Sequence, residues 1–146
     1  MAKYLRLLGF DTLYFNQIGD DDLLELAESE GRLILTRDRE LSERRDSPCY
    51  FLETVDTLEQ MEELINRFGL AANAEVLTRC LLCNTPLQPI DKAAVRDRIP
   101  PTVDRCFDRF DYCPACDKVY WHGDHYKRMQ RFAELLLQGK SEVGGE

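Results

Sequence analysis

The chain has 146 residues, of which 44% are hydrophobic and 32% charged, and its formal net charge is −8. This composition is typical of a soluble globular protein, and no apolar run approaches the length that spans a membrane. Residues 1–9 mix charged and apolar side chains at helical spacing, which is unlike a signal peptide. We therefore expect a cytoplasmic protein with no membrane partner. The length allows one ordinary domain, or a small domain plus a metal-stapled module.

The charge is distributed unevenly along the chain. Residues 1–78 carry 8 Lys and Arg against 17 Asp and Glu, a net charge of −9, whereas residues 79–146 carry 11 against 10, a net charge of +1. The acidic residues therefore lie in the first part. The chain also has six cysteines. Without an export signal these are better explained as metal ligands or buried thiols than as disulfides.

The first part alternates predicted helices and strands. In chain order we expect a helix over 2–8 ended by Gly9, a strand over 10–15, a helix over 21–30 capped by Asp20 or Asp21, a buried strand over 33–35, a short helix over 39–45, a strand over 48–52 with Cys49 in the core, and a helix over 57–68 with a capping box at its start and Gly69 at its end. Such alternation indicates parallel strands joined by right-handed crossovers.

A polar triplet, Thr36-Arg37-Asp38, follows the predicted strand over 33–35. Ligands of open α/β sheets bind outside the carboxyl ends of the strands, which makes Thr36 and Asp38 site candidates. The alternative is that Asp38 only caps the following helix, and local sequence alone favours that interpretation. Asp20 lies one helix and one strand earlier, so a crossover would return it to the same edge. Two carboxylates that meet there repel each other unless a cation or a proton lies between them.

The second part has a different character, with four prolines between residues 86 and 101 and little periodicity. We expect a helix over 91–98, a strand over 118–121, a final helix from Asp124 that Gly139 ends, and a frayed tail. The predicted domains are residues 1–75, an α/β domain, and residues 76–140, a small module with a C-terminal helix. Residues 141–146 form the tail.

Two C-x-x-C pairs, Cys80 with Cys83 and Cys113 with Cys116, mark the second part. Each pair can turn two thiolates onto one metal, and two pairs complete the tetrahedral sulfur shell that suits Zn²⁺. The alternatives are a redox C-x-x-C or cysteines packed in a core by chance. A closed Cys₄ shell has no open position, so the predicted zinc is structural. Cys106 is expected to be packed, and capping and packing are the expected roles of His122 and His125.

The same module gathers basic residues with interleaved aromatic ones, which is what binding of single-stranded nucleic acid requires. An ordinary solvated surface is the alternative, because four aspartates dilute the positive charge. The residues predicted to contact RNA are Arg96, Arg98, Trp121, Lys127 and Arg128.

The chain resembles a known family at several points. The run from Asp20 to Asp38 resembles the second half of PIN-domain nucleases, in which one Asp opens a helix and another follows a Thr at the end of the next strand. The opening residues 3–12, the four cysteines and residues 119–125 are together similar to the Mut-seven C-terminal RNase family, a PIN-like fold with an appended zinc ribbon. The similarity covers nearly the whole chain.

This resemblance implies a metal-dependent ribonuclease in which carboxylates hold Mg²⁺ or Mn²⁺. Carried over, Asp20 and Asp38 are two of the ligands, Asp21 or Asp22 can substitute, and Thr36 is a nearby hydroxyl. In the family a first strand ending in an acidic ligand precedes the helix that matches residues 2–8, and the sequence begins after it. We therefore expect an incomplete PIN-like sheet and weak or no activity. The alternative is a non-catalytic zinc-ribbon protein that binds RNA or protein. The oligomeric state stays open.

Overall fold

The computed structural model describes residues 1–139, which form a mixed α/β structure. Its α-helices are α1 (Ala2–Leu7), α2 (Asp20–Glu30), α3 (Arg39–Ser42), α4 (Thr57–Phe68), α5 (Lys92–Val95), α6 (Pro101–Cys106) and α7 (Asp124–Leu137). Its strands are β1 (Ile34–Thr36), β2 (Cys49–Phe51), β3 (Gln88–Ile90), β4 (Phe110–Cys113) and β5 (Lys118–Trp121). Short 3₁₀ helices cover Leu70–Ala72 and Arg96–Arg98. Of the helices in this range, none is long and apolar enough to cross a membrane. The predicted tail lies outside the described residues.

The chain divides into two compact units, and each is described separately. One unit contains residues 14–60, and the other contains residues 1–13 together with the described residues from Met61 onward. Helix α1 therefore belongs to the same unit as the four cysteines. The predicted domain boundary near residue 75 coincides with neither division of these units, after residue 13 or after residue 60. The two predicted domains stay a prediction from the sequence.

The unit formed by residues 14–60 is built around a small parallel sheet. Strands β1 and β2 pair in parallel, with Ile34 opposite Cys49 and Thr36 opposite Phe51. Helices α2 and α3 contribute Ala27 and Leu41 to a core that also contains Ile34. Cys49 is partly buried and packs against this core, close to its predicted role. The predicted mixed α/β class with parallel strands is thus confirmed here, at the scale of two strands.

Two predicted helix starts are wrong by one residue. The N-cap of α2 is Gly19, and Asp20 already lies in the first turn with two further acidic residues, where negative charge is favourable to the helix dipole. At α4 the side chain of Asp56 accepts a hydrogen bond from the Glu59 backbone N–H at 3.0 Å. Asp56 therefore takes the capping role expected of Thr57, which is the first helical residue.

The unit that contains the cysteines is built around an antiparallel sheet in the order β3–β4–β5. A core cluster of Val95, Ile99 and Phe110 lies against it, with Trp121 partly buried beside them. The predicted strand over 118–121 is confirmed as β5. The predicted helix over 91–98 is shorter and continues as a 3₁₀ turn. Strands β3 and β4 and helix α6 were not predicted. Strand β3 contains Pro89, and a proline in the sequence argues against a strand inside a sheet. Strand β3 lies at the edge of its sheet, where proline is tolerated.

The predicted strand over residues 10–15 is wrong. These residues belong to no strand, and at Thr12 side chains satisfy the backbone where a sheet was expected. The Thr12 backbone N–H donates to Asn84 Oδ1 at 2.8 Å, and Arg6 Nε donates to the Thr12 carbonyl at 2.8 Å. Both partners belong to the same unit as Thr12.

Gly9 makes a close approach possible at the end of α1. Its φ is +97°, and a Cβ at this position would lie 2.3 Å from the backbone carbonyl oxygen of Glu75. The Glu75 backbone N–H in turn donates to the Leu8 carbonyl at 2.8 Å. The glycine therefore ends the helix as predicted and also allows the chain beyond α4 to pack on it.

Candidate metal centre and strand-end carboxylates

The four cysteines of the two C-x-x-C pairs converge on one point. Their Sγ atoms all lie within 4.8 Å of one another. Cys80 Sγ is 3.8 Å from Cys116 Sγ, and Cys83 Sγ is 3.4 Å from Cys113 Sγ. Tetrahedral Zn²⁺ with sulfur ligands at about 2.3 Å places those sulfurs about 3.8 Å apart. The cluster therefore has the ligand type and spacing that fit a metal such as zinc, as the sequence predicts.

Both C-x-x-C pairs end in the same backbone turn. The residues that follow them, Asn84 and Asp117, have φ values of +76° and +56°. Their backbone N–H groups donate to the carbonyls of Cys80 and Cys113 at 2.9 and 2.8 Å. Asn and Asp are the non-glycine residues that tolerate this left-handed conformation best. The repeated turn directs both thiols of each pair to the same side.

The thiols perturb one another strongly. Burial opposes ionisation of Cys83, but its hydrogen bonds with the side chain and backbone of Thr85 and with neighbouring thiols outweigh burial and lower the pKa of Cys83 to about 6. Cys116 behaves in the opposite way, because its hydrogen bond with Cys83, together with burial, raises the pKa of Cys116 to about 12. Adjacent thiolates cannot all carry charge unless a cation compensates them, so this donor set is suited to a metal ion.

A polar network connects the first cysteine turn to the N-terminal segment of the same unit. Arg6 is buried, and its Nη1 donates to the carbonyls of Leu81 and Leu82 at 3.1 and 3.2 Å. Asn84, also buried, donates through Nδ2 to Asp11 Oδ1 at 2.6 Å. Sequence reasoning missed both residues. The available signals were an Arg within the apolar run at residues 5–8 and an Asn directly after C-x-x-C.

The strand-end triplet has the local geometry of a helix cap. Thr36 ends β1, and its Oγ1 accepts a hydrogen bond from the Asp38 backbone N–H at 2.9 Å. Asp38 Oδ1 accepts from the Leu41 backbone N–H at 3.1 Å and caps α3. The capping interpretation of Asp38 is therefore confirmed.

Two other carboxylates predicted for this site, those of Asp20 and Asp21, form ion pairs with an arginine side chain. Arg44 lies 3.4 Å from Asp20 Oδ2 and 3.2 Å from Asp21 Oδ1. Within residues 1–139, three or more metal-ligating side chains come together at the four cysteines and not at this strand end. Glu53, two residues beyond the end of β2, is exposed. The residues present thus fit a divalent cation only in part.

The predicted RNA contacts on the 3₁₀ turn after α5 carry partners of their own. Arg96 Nε lies 3.0 Å from Asp104, and Arg98 Nη1 lies 2.9 Å from Asp117. The hydrogen bond from Arg96 lowers the pKa of Asp104 below its ordinary value of 3.8. These arginines remain exposed, but their charge is locally compensated.

The other predicted RNA contacts lie on or near α7. Trp121 is half-buried, and its ring packs edge-on against Phe110 at 6.4 Å between centroids. Its ring contributes to the core. Lys127 and Arg128 are exposed on α7.

Two smaller expectations are also resolved. Cys106, expected to be packed, is exposed at the end of α6. The ring of His122 stacks on Tyr126 at 3.9 Å, which is a packing role, whereas the N-cap of α7 is Gly123. His125 is exposed.

These features define a mixed α/β protein with a four-cysteine centre on paired turns and a Thr-Arg-Asp triplet at the end of a parallel strand. The family described as Mut7-C RNAse domain matches residues 1–133. The chain belongs to this family, and the resemblance stated from the sequence is confirmed. No curated protein and no solved structure matches the chain.

Proposed function

We propose that this chain is a metal-dependent ribonuclease with a PIN-like nuclease domain that cleaves RNA phosphodiesters. The observation that supports this most is the match to an RNAse domain family over residues 1–133. That range includes both Thr36 and Asp38, which lie at the carboxyl end of a parallel strand, where α/β proteins bind ligands.

In this proposal Asp20, Asp21 and Asp38 hold Mg²⁺ or Mn²⁺, and Thr36 is a neighbouring hydroxyl. Mg²⁺ is commonly bound by one or two carboxylates together with waters and substrate phosphates, so a complete protein cage is not required. Such an ion supplies Lewis acidity and an activated water. Arg44 then has two roles in turn, since it neutralises Asp20 and Asp21 in the absence of a cation and must release them when one binds.

The four-cysteine centre is proposed to hold a structural Zn²⁺ in a ribbon module. The cysteine geometry fits this ion, and a closed sulfur shell leaves no position for substrate. RNA contacts are proposed through Arg96, Arg98, Trp121, Lys127 and Arg128. Of these, Lys127 and Arg128 have the best support because they are exposed on the long helix α7.

A second candidate function is that of a non-catalytic module that binds RNA or protein. The ion pairs of Arg44 with Asp20 and Asp21 favour it, because a side-chain cation already compensates two of the proposed ligands.

The deciding experiment is cleavage of labelled single-stranded RNA with added Mn²⁺, comparing wild type with Asp38→Asn. The matched control is Asp46→Asn. Asp46 is 93% exposed, lies 4.0 Å from Arg45, and has a φ of +58° that Asn tolerates. The ribonuclease proposal expects Mn²⁺-dependent cleavage, even at a low rate, that Asp38→Asn abolishes and Asp46→Asn keeps. Binding without cleavage in the wild type would support the non-catalytic module instead.

A further inference from the structure

The side chain of Arg39 makes a contact that none of the proposed functions above explains. It follows Asp38 directly, and its guanidinium lies over the ring of Phe51, with 4.2 Å from Cζ to the ring centroid. Arg39 is exposed, and within residues 1–139 its guanidinium makes no hydrogen bond or ion pair. Its N–H donors therefore remain available to a ligand, while the aromatic ring holds the charge in place.

The neighbouring Arg37 shows the contrast. Its Cζ lies 5.5 Å from the same Phe51 ring, but its Nη1 donates to the backbone carbonyls of Leu52 and Thr54. Arg37 thus holds the segment after β2, and Arg39 is left as the guanidinium with free donors. Both side chains follow the end of β1, where Thr36 and Asp38 lie.

We propose that Arg39, supported by Phe51, binds a phosphate group of single-stranded RNA beside the Thr36–Asp38 strand end. This inference rests on the proposed ribonuclease function and adds a substrate contact in the part of the chain where the sequence predicted none. A planar guanidinium can offer two parallel N–H donors to phosphate oxygens. Because residues 1–78 carry a net charge of −9, an RNA strand that approaches this edge needs a local cation.

The test is binding of a fluorescently labelled oligouridylate to the full chain over a salt series, without added Mn²⁺ so that cleavage does not interfere. Arg39→Ala should weaken binding about tenfold and reduce the salt slope by about 0.7, the value of one phosphate contact on a single strand. Arg39→Lys should keep the salt slope, because the charge remains, but bind more weakly than wild type because it loses the planar, stacked geometry.

The matched control is Arg45→Ala, because Arg45 is 97% exposed in the same unit and lies 4.0 Å from Asp46. Its affinity should equal that of wild type. Unchanged binding by Arg39→Ala, or equal losses in Arg39→Ala and Arg45→Ala, overturns the inference but leaves the ribonuclease proposal standing if wild type still cleaves RNA. If wild type does not bind the oligouridylate, both fail. Should Arg39→Ala lower the melting temperature, Arg39→Gln is judged by the same criteria.

Discussion

Asn84 joins the first cysteine turn to the N-terminal segment, and its removal should destabilise the unit that contains both. Its Oδ1 accepts the Thr12 backbone N–H at 2.8 Å, its Nδ2 donates to Asp11 at 2.6 Å, and its φ is +76°. A buried donor left without a partner costs about 1–3 kcal/mol, and a hydrogen bond to a carboxylate contributes about 1.5–3 kcal/mol. An alanine in the left-handed conformation adds about 1 kcal/mol.

Since such terms are not additive and Asp11 is exposed, we expect Asn84→Ala to lower the free energy of unfolding by about 3 kcal/mol. Asn84→Gly removes the same hydrogen bonds without the backbone strain, so its loss should be about 2 kcal/mol. Urea unfolding of the zinc-loaded protein measures both values. Hydrogen exchange of the Thr12 amide should accelerate in both variants.

The matched control is Asn73→Ala, because Asn73 is exposed in the same unit and has a φ of −121°. Its stability should stay within about 0.5 kcal/mol of wild type, as for an ordinary surface substitution. The reasoning is refuted if Asn84→Ala and Asn84→Gly lower the free energy of unfolding as little as Asn73→Ala does, or if the exchange rate of the Thr12 amide does not change.

Three further predictions concern the same unit. Protein purified without chelator should contain one zinc per chain by elemental analysis, Cys83→Ser should bind less, and chelation should unfold the unit because ligation and folding are coupled. Replacement of both Lys127 and Arg128 by Glu should weaken RNA binding and reduce its salt dependence, both measured by fluorescence anisotropy of labelled RNA. Unchanged affinity would show that α7 is not part of the binding surface. Arg96→Ala should raise the pKa of Asp104 in an NMR titration. The hydrogen bond from Arg96 lowers this pKa in the folded state, so its stabilisation is present above pH 4 and is lost as pH falls through the folded value.

Local sequence patterns correctly predicted those structural features that depend on residues close to each other in the sequence. The apolar stripe of α4 is one example, since Met61 and Leu64 are almost completely buried. The glycines expected to end α4 and α7 have φ values of +61° and +74°. The cysteine cluster was also predictable, because the spacing within each C-x-x-C pair already determines how two thiols can meet on one metal.

Long-range partners explain what could not be predicted. The segment over residues 10–15 has strand-forming composition, but Asn84, which binds Thr12, lies 72 positions away in the sequence. The same holds for Arg6, whose acceptors Leu81 and Leu82 lie 75 and 76 positions away. No periodicity of the local sequence encodes such pairs. The propensity for a strand was therefore overridden by tertiary hydrogen bonds.

The two interpretations of Asp38, helix cap and metal ligand, are compatible in one side chain. The cap uses Oδ1, and within residues 1–139 Oδ2 has no hydrogen-bond partner. A carboxylate offers about four lone-pair sites, so capping fixes the position of Asp38 without consuming its capacity to bind a cation. Asn caps helices about as well as Asp, so Asp38→Asn preserves the cap and removes the charge. A loss of Mn²⁺-dependent cleavage at unchanged stability would therefore report on the charge of Asp38, whereas a loss of stability would report on the cap.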